Sequence, residues 1–375
     1  MVEMIQKYLK DEIELEYGKG LTRNQRRDGK IPVYGSNGIV DYNDKFYFEG
    51  PGIIIGRKGT VGSLKYEENN FWAIDTTYVV KLKNKNEDLI FWYYFLQTLG
   101  LERMNSHSAV PGLNRDRVYN IKINIPKKQE DRKRISIILG DLDKKIELNN
   151  QINDNLFEII KQYIKEKYYT NNEIKNFQMS NLGKIQGGYA FKSKELLNET
   201  TNNKVFKIKN IGSSCVDIEN TQYIENEVAN KVDKKFLVTR GDVIIAMTGA
   251  ELGKTGYLYG TENRYFLNQR VGVVRGNDKK SNLYLCCVFL LDEIQSLMHS
   301  KGYGSAQPNI STNDIEKIRI PILNEKQLDE FYEIADPIYK KMILNMEENQ
   351  KLTQIRDVLL PKIMNGKIDL NKIEI

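Results

Sequence analysis

Two stretches of this chain, 197 positions apart, carry one pattern of prolines and apolar residues. Ser108 to Pro126 lines up with Ser305 to Pro321, pairing Pro111 with Pro308, Leu113 with Ile310, Val118 with Ile315, Ile121 with Ile318 and Ile123 with Ile320. Downstream, Glu130 matches Glu325 and Asp141 matches Asp336, then Asn149 matches Asn345, Asn153 matches Asn349 and Leu156 matches Leu352. Self-similarity at a fixed offset governs architecture ahead of any local reading. It predicts two copies of one module, each a globular part of about 125 to 150 residues followed by a helix. Two copies are too few for a solenoid, so a pseudo-two-fold duplication is expected.

The 375 residues, 40% hydrophobic with three cysteines, can bury real cores and exclude fibrous, disordered and disulfide-stapled classes. Lys and Arg number 56 against 50 Asp and Glu, a net +6 that permits a polyanionic partner without requiring one. The longest apolar run, Leu283 to Leu291, falls short of the roughly 18 to 20 residues of a bilayer span, and the start has no signal-peptide apolar core. Cys215, Cys286 and Cys287 have no metal-ligand spacing and read as reduced, mostly buried thiols. A cytoplasmic chain without a membrane partner is the expectation.

Strand-like runs at Gly52 to Gly56, Tyr78 to Leu82, Lys204 to Lys209, Asp242 to Ala246 and Val271 to Arg275 make the globular halves β-rich. Turn pairs at Asn37-Gly38 and Gly187-Gly188 separate them. Short helices at Leu89 to Leu99 and Leu283 to Met298 are expected to pack on the sheets, giving an α+β class. Gln129 to about Tyr168 and its counterpart have apolar residues at alternating spacings of three and four. This sets a seam of Leu142, Ile146, Asn149, Asn153 and Leu156 against Ile338, Met342, Asn345, Asn349 and Leu352. Polar seam residues cost stability and select register, so the two helices are expected to pair with each other rather than each on its own half. The resulting divisions are 1–128, 129–170, 171–322 and 323–375.

With its repeated helices and the phrases Gly56-Arg-Lys-Gly-Thr-Val-Gly62, Phe71-Trp-Ala73, Gln129-Glu130, Gly188-Tyr-Ala-Phe-Lys-Ser193, Gly249-Ala-Glu-Leu-Gly-Lys-Thr-Gly256, Asn268-Gln-Arg270 and Leu360-Pro-Lys-Ile-Met-Asn-Gly-Lys367, the chain resembles the specificity subunits of type I restriction-modification systems. The resemblance covers nearly the whole chain and rests on the order and duplication of the phrases. It implies a subunit without catalysis, two target recognition domains that each read one part of a split double-stranded DNA sequence, and an antiparallel coiled coil as a ruler. A helix of about 40 residues runs roughly 60 Å, enough to hold two readers on major-groove faces about 34 Å apart. It also implies two copies of an adenine N6-methyltransferase subunit docked on the helices, with translocating endonuclease subunits added. S-adenosylmethionine and ATP with Mg would be bound by those partners. The chain enters its first half at once, with Met1 to Glu16 ahead of the Gly18-Lys-Gly-Leu loop.

Polar loop residues are the candidates for DNA contact, because Arg reads guanine bidentately and Asn or Gln reads adenine. In the first half they are Arg23, Asn24, Gln25, Arg26, Arg27, Ser36, Asn37, Arg57, Lys58, Thr60, His107, Asn114, Arg115 and Arg117. In the second they are Lys192, Thr248, Glu251, Lys254, Gln269, Arg270, Tyr303 and Gln307. For any one of them a solvated charge or a phosphate contact is the commoner role. The basic stretches Lys122 to Arg134 and Lys161 to Lys167 could face phosphates or a partner's acidic surface, or be solvated helix flanks. Phe91 to Phe95 and the Phe71-Trp72 pair read as core.

Three motifs imitate catalytic ones. Gly249 to Thr255 has three residues between its glycines where a phosphate-binding P-loop needs four. Asp336-Pro-Ile-Tyr339 lacks the second proline of the adenine-holding Asp-Pro-Pro-Tyr motif, and a helix start or kink at Pro337 is expected instead. His107 and His299 have neither metal-ligand nor triad spacing. The remaining readings are an adaptor whose halves bind something other than DNA and a nucleotide-binding enzyme using Gly249 to Thr255.

Overall fold

The computed structural model describes residues 2–104, 112–169, 176–212, 214–260, 263–302 and 308–370. The chain divides into two compact units, Met1–Lys145 with Leu352–Ile375, and Ile146–Lys351. Each long helix is therefore shared. Gln129–Ile164 starts in the first unit and ends in the second, and Glu325–Met364 does the reverse.

In the first unit an antiparallel sheet has the strand order Ile13–Tyr17, Thr77–Leu82, Gly52–Gly56, Leu64–Glu67. Its central strands read as unbroken apolar runs because both faces are buried. Ile53, Ile55, Tyr78 and Val80 enter the main core with Phe91, Trp92 and Phe95 of the helix Leu89–Gln97. Ile54 and Val79 point the other way, onto Phe71, Tyr34 and Phe48. The Asp88 carboxylate accepts from Ile90 N at 2.9 Å and starts that helix. A smaller sheet joins Gly38–Asn43, Ile31–Gly35 and Trp72–Ala73, and Met4–Tyr8 pairs with Lys122–Pro126. Ile135 and Leu139 of one long helix and Ile363 and Met364 of the other close the core.

The second unit repeats this plan. Its main sheet runs Gly183–Gly187, Val271–Gly276, Val243–Ala246, Thr255–Tyr257. The smaller sheet runs Gln222–Tyr223, Asn203–Phe206, Arg264–Leu267, Leu237–Val238, and again one neighbouring pair is parallel. Asn176–Gln178 pairs with Arg319–Pro321. Shared backbone bonds set the equivalences. Gly18 N donates to Thr77 O as Gly188 N does to Val271 O, and Leu113 N donates to Arg57 O as Ile310 N does to Met247 O. A Cβ on Gly18 would meet Ile74 O at 2.0 Å and one on Gly188 would meet Asn268 O at 2.2 Å, so only glycine fits at either position.

Some expectations change. Leu283 to Met298 is two helices, Lys279–Phe289 and Asp292–Gly302, with the chain turning at Leu290 and Leu291. Lys204 to Lys209 is a strand only to Phe206, followed by a 3-10 turn at Ile208–Asn210. The first long helix ends at Ile164 and widens into a π turn at Lys165–Tyr169. Pro337 neither starts nor interrupts its helix, which runs from Glu325 through Met364. Trp72 is half-buried rather than core, its indole N–H donating to Lys19 O at 2.7 Å.

Within the second unit the two long helices run antiparallel. Asn149 Nδ2 donates to Asn349 Oδ1 and Asn345 Nδ2 to Asn153 Oδ1, both at 2.8 Å. Asn153 Nδ2 also reaches Met342 O at 3.0 Å, and Asn349 Nδ2 reaches Asn150 Oδ1 at 2.9 Å. All four seam asparagines and Met342 are buried, whereas Ile146, Leu156 and Ile338 are half-buried. In the first unit Arg356 NH1 donates to Asp143 Oδ1 at 2.6 Å, and Leu142 and Leu352 are half-buried.

Candidate nucleic-acid interface

Three loops of the first unit converge at one end of its main sheet. The Ser36-Asn37 hairpin turn meets the Arg57–Gly62 turn, where Ser63 Oγ donates to Ser36 O. That turn meets the repeat segment through the bridge of Lys58 with Gly112 and the 2.8 Å bond from Leu113 N to Arg57 O. Sequence candidates Ser36, Asn37, Arg57, Lys58, Thr60, Arg115 and Arg117 are thus brought together. At the centre lies Tyr17, about half exposed at the end of its strand. The Arg57 and Arg115 guanidinium carbons lie 5.1 and 5.3 Å from its ring centroid, and the Tyr78 ring 5.1 Å away. Burial pushes the Tyr78 phenol up to about 12, and its hydroxyl donates to Leu113 O at 3.1 Å.

Several candidates are occupied by the fold. Asn114 caps the helix Arg115–Tyr119, its side-chain oxygen accepting from Arg117 N at 3.0 Å. Gln25 Oε1 accepts from Thr22 N and its hydroxyl. Arg26 is held by Asp41 at 2.9 Å, and Arg27 N donates to Asn43 Oδ1. The Thr22–Arg27 loop is therefore anchored on the far end of the Gly38–Asn43 strand, and its exposed Arg23, Asn24 and Arg27 side chains do not join the converging loops.

In the second unit the same positions converge with different chemistry. Thr248 bridges Asn309, Gly249 N donates to Pro308 O, and Met247 N donates to Arg270 O. Exposed Gln269 and Arg270 lie beside the Gly188 loop, which leads to exposed Lys192. Glu251 and Lys254 pair with each other at 2.8 Å. Ser311 caps the helix Thr312–Glu316 just as Asn114 caps its counterpart. His107, Tyr303 and Gln307 lie outside the described residues.

The chain thus carries one sheet plan twice, with polar loop ends in both units and a buried asparagine quartet between the paired helices of the second. The sequence model of the type I restriction modification DNA specificity domain matches residues 1–158 and again 171–354. The chain belongs to that family.

Relatives in the family include the type I restriction enzyme MjaIX specificity subunit of Methanocaldococcus jannaschii, 25% identical over 76% of this chain and 70% of its own. A putative type I specificity subunit of Haemophilus influenzae is 24% identical over 91% of each chain. The fold is similar to the crystal structure of the type I restriction-modification S subunit from M. genitalium, with a TM-score of 0.61, 17% identity and coverage of 97% and 96%.

The catalytic look-alikes resolve into scaffold in this specificity-domain chain. Gly249 to Thr255 is the turn of an antiparallel hairpin, with no helix following the strand as a P-loop requires, and Gly249 and Gly253 have positive φ as Gly59 and Gly62 do. Asp336 pairs with Lys340 at 2.6 Å, and the buried Tyr339 hydroxyl donates to Gly241 O at 3.0 Å. His299 sits in the helix Asp292–Gly302, and no group of three metal-ligating residues occurs among the described residues. No helix among them is long and apolar enough to cross a membrane. The stretch Lys161 to Lys167 is ion-paired internally, Lys161 to Asp292, Lys165 to Glu293 and Lys167 to Glu330, and in the stretch Lys122 to Arg134 Arg132 pairs with Glu87 and Lys127 with Glu3. Tyr17 was not legible as a site residue, because one tyrosine at a strand end carries no pattern. Its only signal is that its register partner is Tyr78, next to the Arg57 turn.

Proposed function

We propose that this chain is the DNA sequence-specificity subunit of a type I restriction-modification complex, each half reading one part of a split, asymmetric target. The observation that carries the reading is one scaffold used twice with different side chains at the same loop ends. Arg57 and Arg115 stand where Met247 and Thr312 stand in the second unit. A reader of two unlike half-sites needs that combination, since phosphate contacts position a protein and base contacts specify sequence. Exposed Lys58, Arg117, Gln269 and Arg270 supply the positive charge and hydrogen-bond donors.

In this reading the chain performs no chemistry of its own. Two copies of an adenine N6-methyltransferase subunit dock on the helical segments, and endonuclease-translocase subunits complete the assembly. S-adenosylmethionine, and ATP with Mg, are bound by those partners. The helices of 36 and 40 residues, each about 54 to 60 Å long at 1.5 Å per residue, set the number of unread bases between the half-sites.

A salt titration of the assembled complex on duplex DNA tests the proposal. Affinity should fall steeply with salt, with a slope of about −0.9 per phosphate neutralised. Absence of duplex binding at low salt would favour an adaptor whose halves hold something else.

A further inference from the structure

Tyr17, Tyr78, Arg57 and Arg115 form one cluster, and each has a counterpart in the second unit fixed by the backbone. Strand register pairs Tyr17 with Tyr78 in the first unit and Gly187 with Gly272 in the second. Arg57 N donates to Thr76 O and Arg57 O accepts from Leu113 N, and Met247 makes the same two bonds to Arg270 O and Ile310 N. Arg115 and Thr312 each follow the helix-capping residue. The contacts are equivalent too. A Cβ on Gly187 would lie 3.6 Å from Thr312 Cγ2, and one on Gly272 would lie 2.9 Å from Met247 Sδ. A platform of two rings and two guanidinium groups in one half is thus a pair of glycines under Met247 and Thr312 in the other.

The two arginines are not alike. Arg57 donates from Nε and NH2 to Asp75 O at 3.1 and 2.7 Å, so the Nε edge of its fork is tied to the backbone and the group is held as a fixed charge. Arg115 makes no hydrogen bond or ion pair among the described residues, so its fork stays open while Tyr17 and Tyr119, 5.3 and 5.8 Å from its guanidinium carbon, hold its plane. Neither arginine has a carboxylate partner among the described residues. Cation–π packing of this kind restrains a guanidinium without spending its donors.

We propose that Arg115 reads a guanine in the half-site of the first unit, that Arg57 holds an adjacent DNA phosphate, and that Tyr17 is the positioning residue for both. The proposal rests on the specificity-subunit reading above and names the contact through which the first half discriminates. An open fork in a fixed plane matches the O6 and N7 acceptors of guanine in the major groove, whereas Arg57, its Nε edge tied to Asp75 O, keeps its charge and its outer N–H donors for a phosphate oxygen. Thr312 offers one hydroxyl at the equivalent place, so the second half cannot make the same contact.

The test is a map of N6-methyladenine in genomic DNA from hosts carrying the complete system with the wild-type chain, Arg115→Thr, Arg115→Lys, Tyr17→Ala or Tyr17→Phe. A single G·C position in one half-site should relax in both Arg115 variants, with discrimination falling about five- to 150-fold and the other half-site unchanged. Lys keeps the charge and loses the fork, so it separates base reading from electrostatics. Tyr17→Ala, which removes the ring that holds Arg115, should relax the same G·C position, and Tyr17→Phe, which restores the ring, should recover it. In the purified complex Arg57→Gln should lower the salt slope by about one without changing the preferred sequence. An unchanged motif in both Arg115 variants overturns the proposal, as does loss of all methylation in both, which would place Arg115 in assembly. Absence of any split motif with the wild-type chain would instead refute the specificity reading itself.

Discussion

Asn149 donates to Asn349 across the paired helices at 2.8 Å, and repeat-related Asn345 donates to Asn153 at the same distance. Adding 196 to Asn149 gives Asn345, and Asn153 is likewise related to Asn349, so exchanging the two copies maps one bond onto the other. Four buried amides, joined in two repeat-related bonds and tied to Met342 O and Asn150 Oδ1, fix which residues face which. An apolar seam would tolerate a slip of one turn at little cost, whereas a slipped amide is left buried without a partner. The duplication thus carries its own register device.

Removing one member should expose that cost. Asn149→Ala leaves the Asn349 oxygen buried and should lower stability by about 1–3 kcal/mol in denaturant unfolding. The double variant Asn149→Leu with Asn349→Leu removes both partners and should recover most of the loss. Equal stability of the single variant and wild type would show that the amides do not hold the seam.

Arg132 and Glu87 form a two-bond pair at 2.7 and 2.9 Å with both side chains nearly buried, tying the start of a long helix to the first globular half. Breaking one partner of such a pair leaves an uncompensated charge. Glu87→Ala is expected to destabilise by about 3–5 kcal/mol, read as an early unfolding transition. A change below about 1 kcal/mol would mean that the site opens to water.

Two carboxylates give stability a pH dependence of known sign. The Ser281 amide holds the Asp278 carboxyl below its usual 3.8, and the Arg240 guanidinium holds Glu347 below its usual 4.5. Both carboxylates favour the folded state fully above these ordinary values, and that contribution is lost as pH falls through the lowered folded values. Unfolding free energy should therefore drop below about pH 4.5, and Asp278→Asn with Glu347→Gln should flatten that acid limb. An unchanged limb would assign the acid sensitivity to other groups.

Burial pushes the Cys286 thiol up to about 12 and Cys215 to about 11, with Cys287 also well raised. Thiolate is the reactive form, so native protein at pH 8 should resist alkylation and denatured protein should take up three labels by mass. Rapid native labelling of Cys286 or Cys287 would contradict the packing of the helix Lys279–Phe289.

Much of this was legible in the sequence, and what was not has physical reasons. The tail repeat stood out because Pro111 and Pro308, the helix caps and the seam keep offsets of 195 to 197. The sheets repeat as faithfully, but Gly18 and Gly188 are 170 apart, Arg57 and Met247 are 190 apart, and Tyr78 and Gly272 are 194 apart. Loop insertions let that spacing drift, and burial constrains only apolar character, so the alignment disappears from the sequence. The seam asparagines were readable because polar residues at a helical spacing break an apolar pattern. Gln25, Arg26 and Asn114 carry two readings in sequence, because a turn capped by side chains uses the same amides and guanidinium groups that contact bases. The helix break at Leu290 was hidden because Leu290 and Leu291 continue the apolar run while ending the helix.

Helix length carries the ruler idea. Shortening both long helices by one heptad at matched positions, clear of the asparagine quartet, should change the number of unread bases and leave both half-site sequences as they were. A change in the half-sites themselves would place base reading in the helices rather than in the loop ends of the sheets.

The central claim, that one chain reads two unlike half-sites and directs methylation to them, is tested most directly by mapping N6-methyladenine in host genomic DNA with the gene intact and deleted. Methylation of one split, asymmetric motif should be present with the gene and lost without it. An identical map in both strains of a host whose partner subunits are expressed would contradict the account.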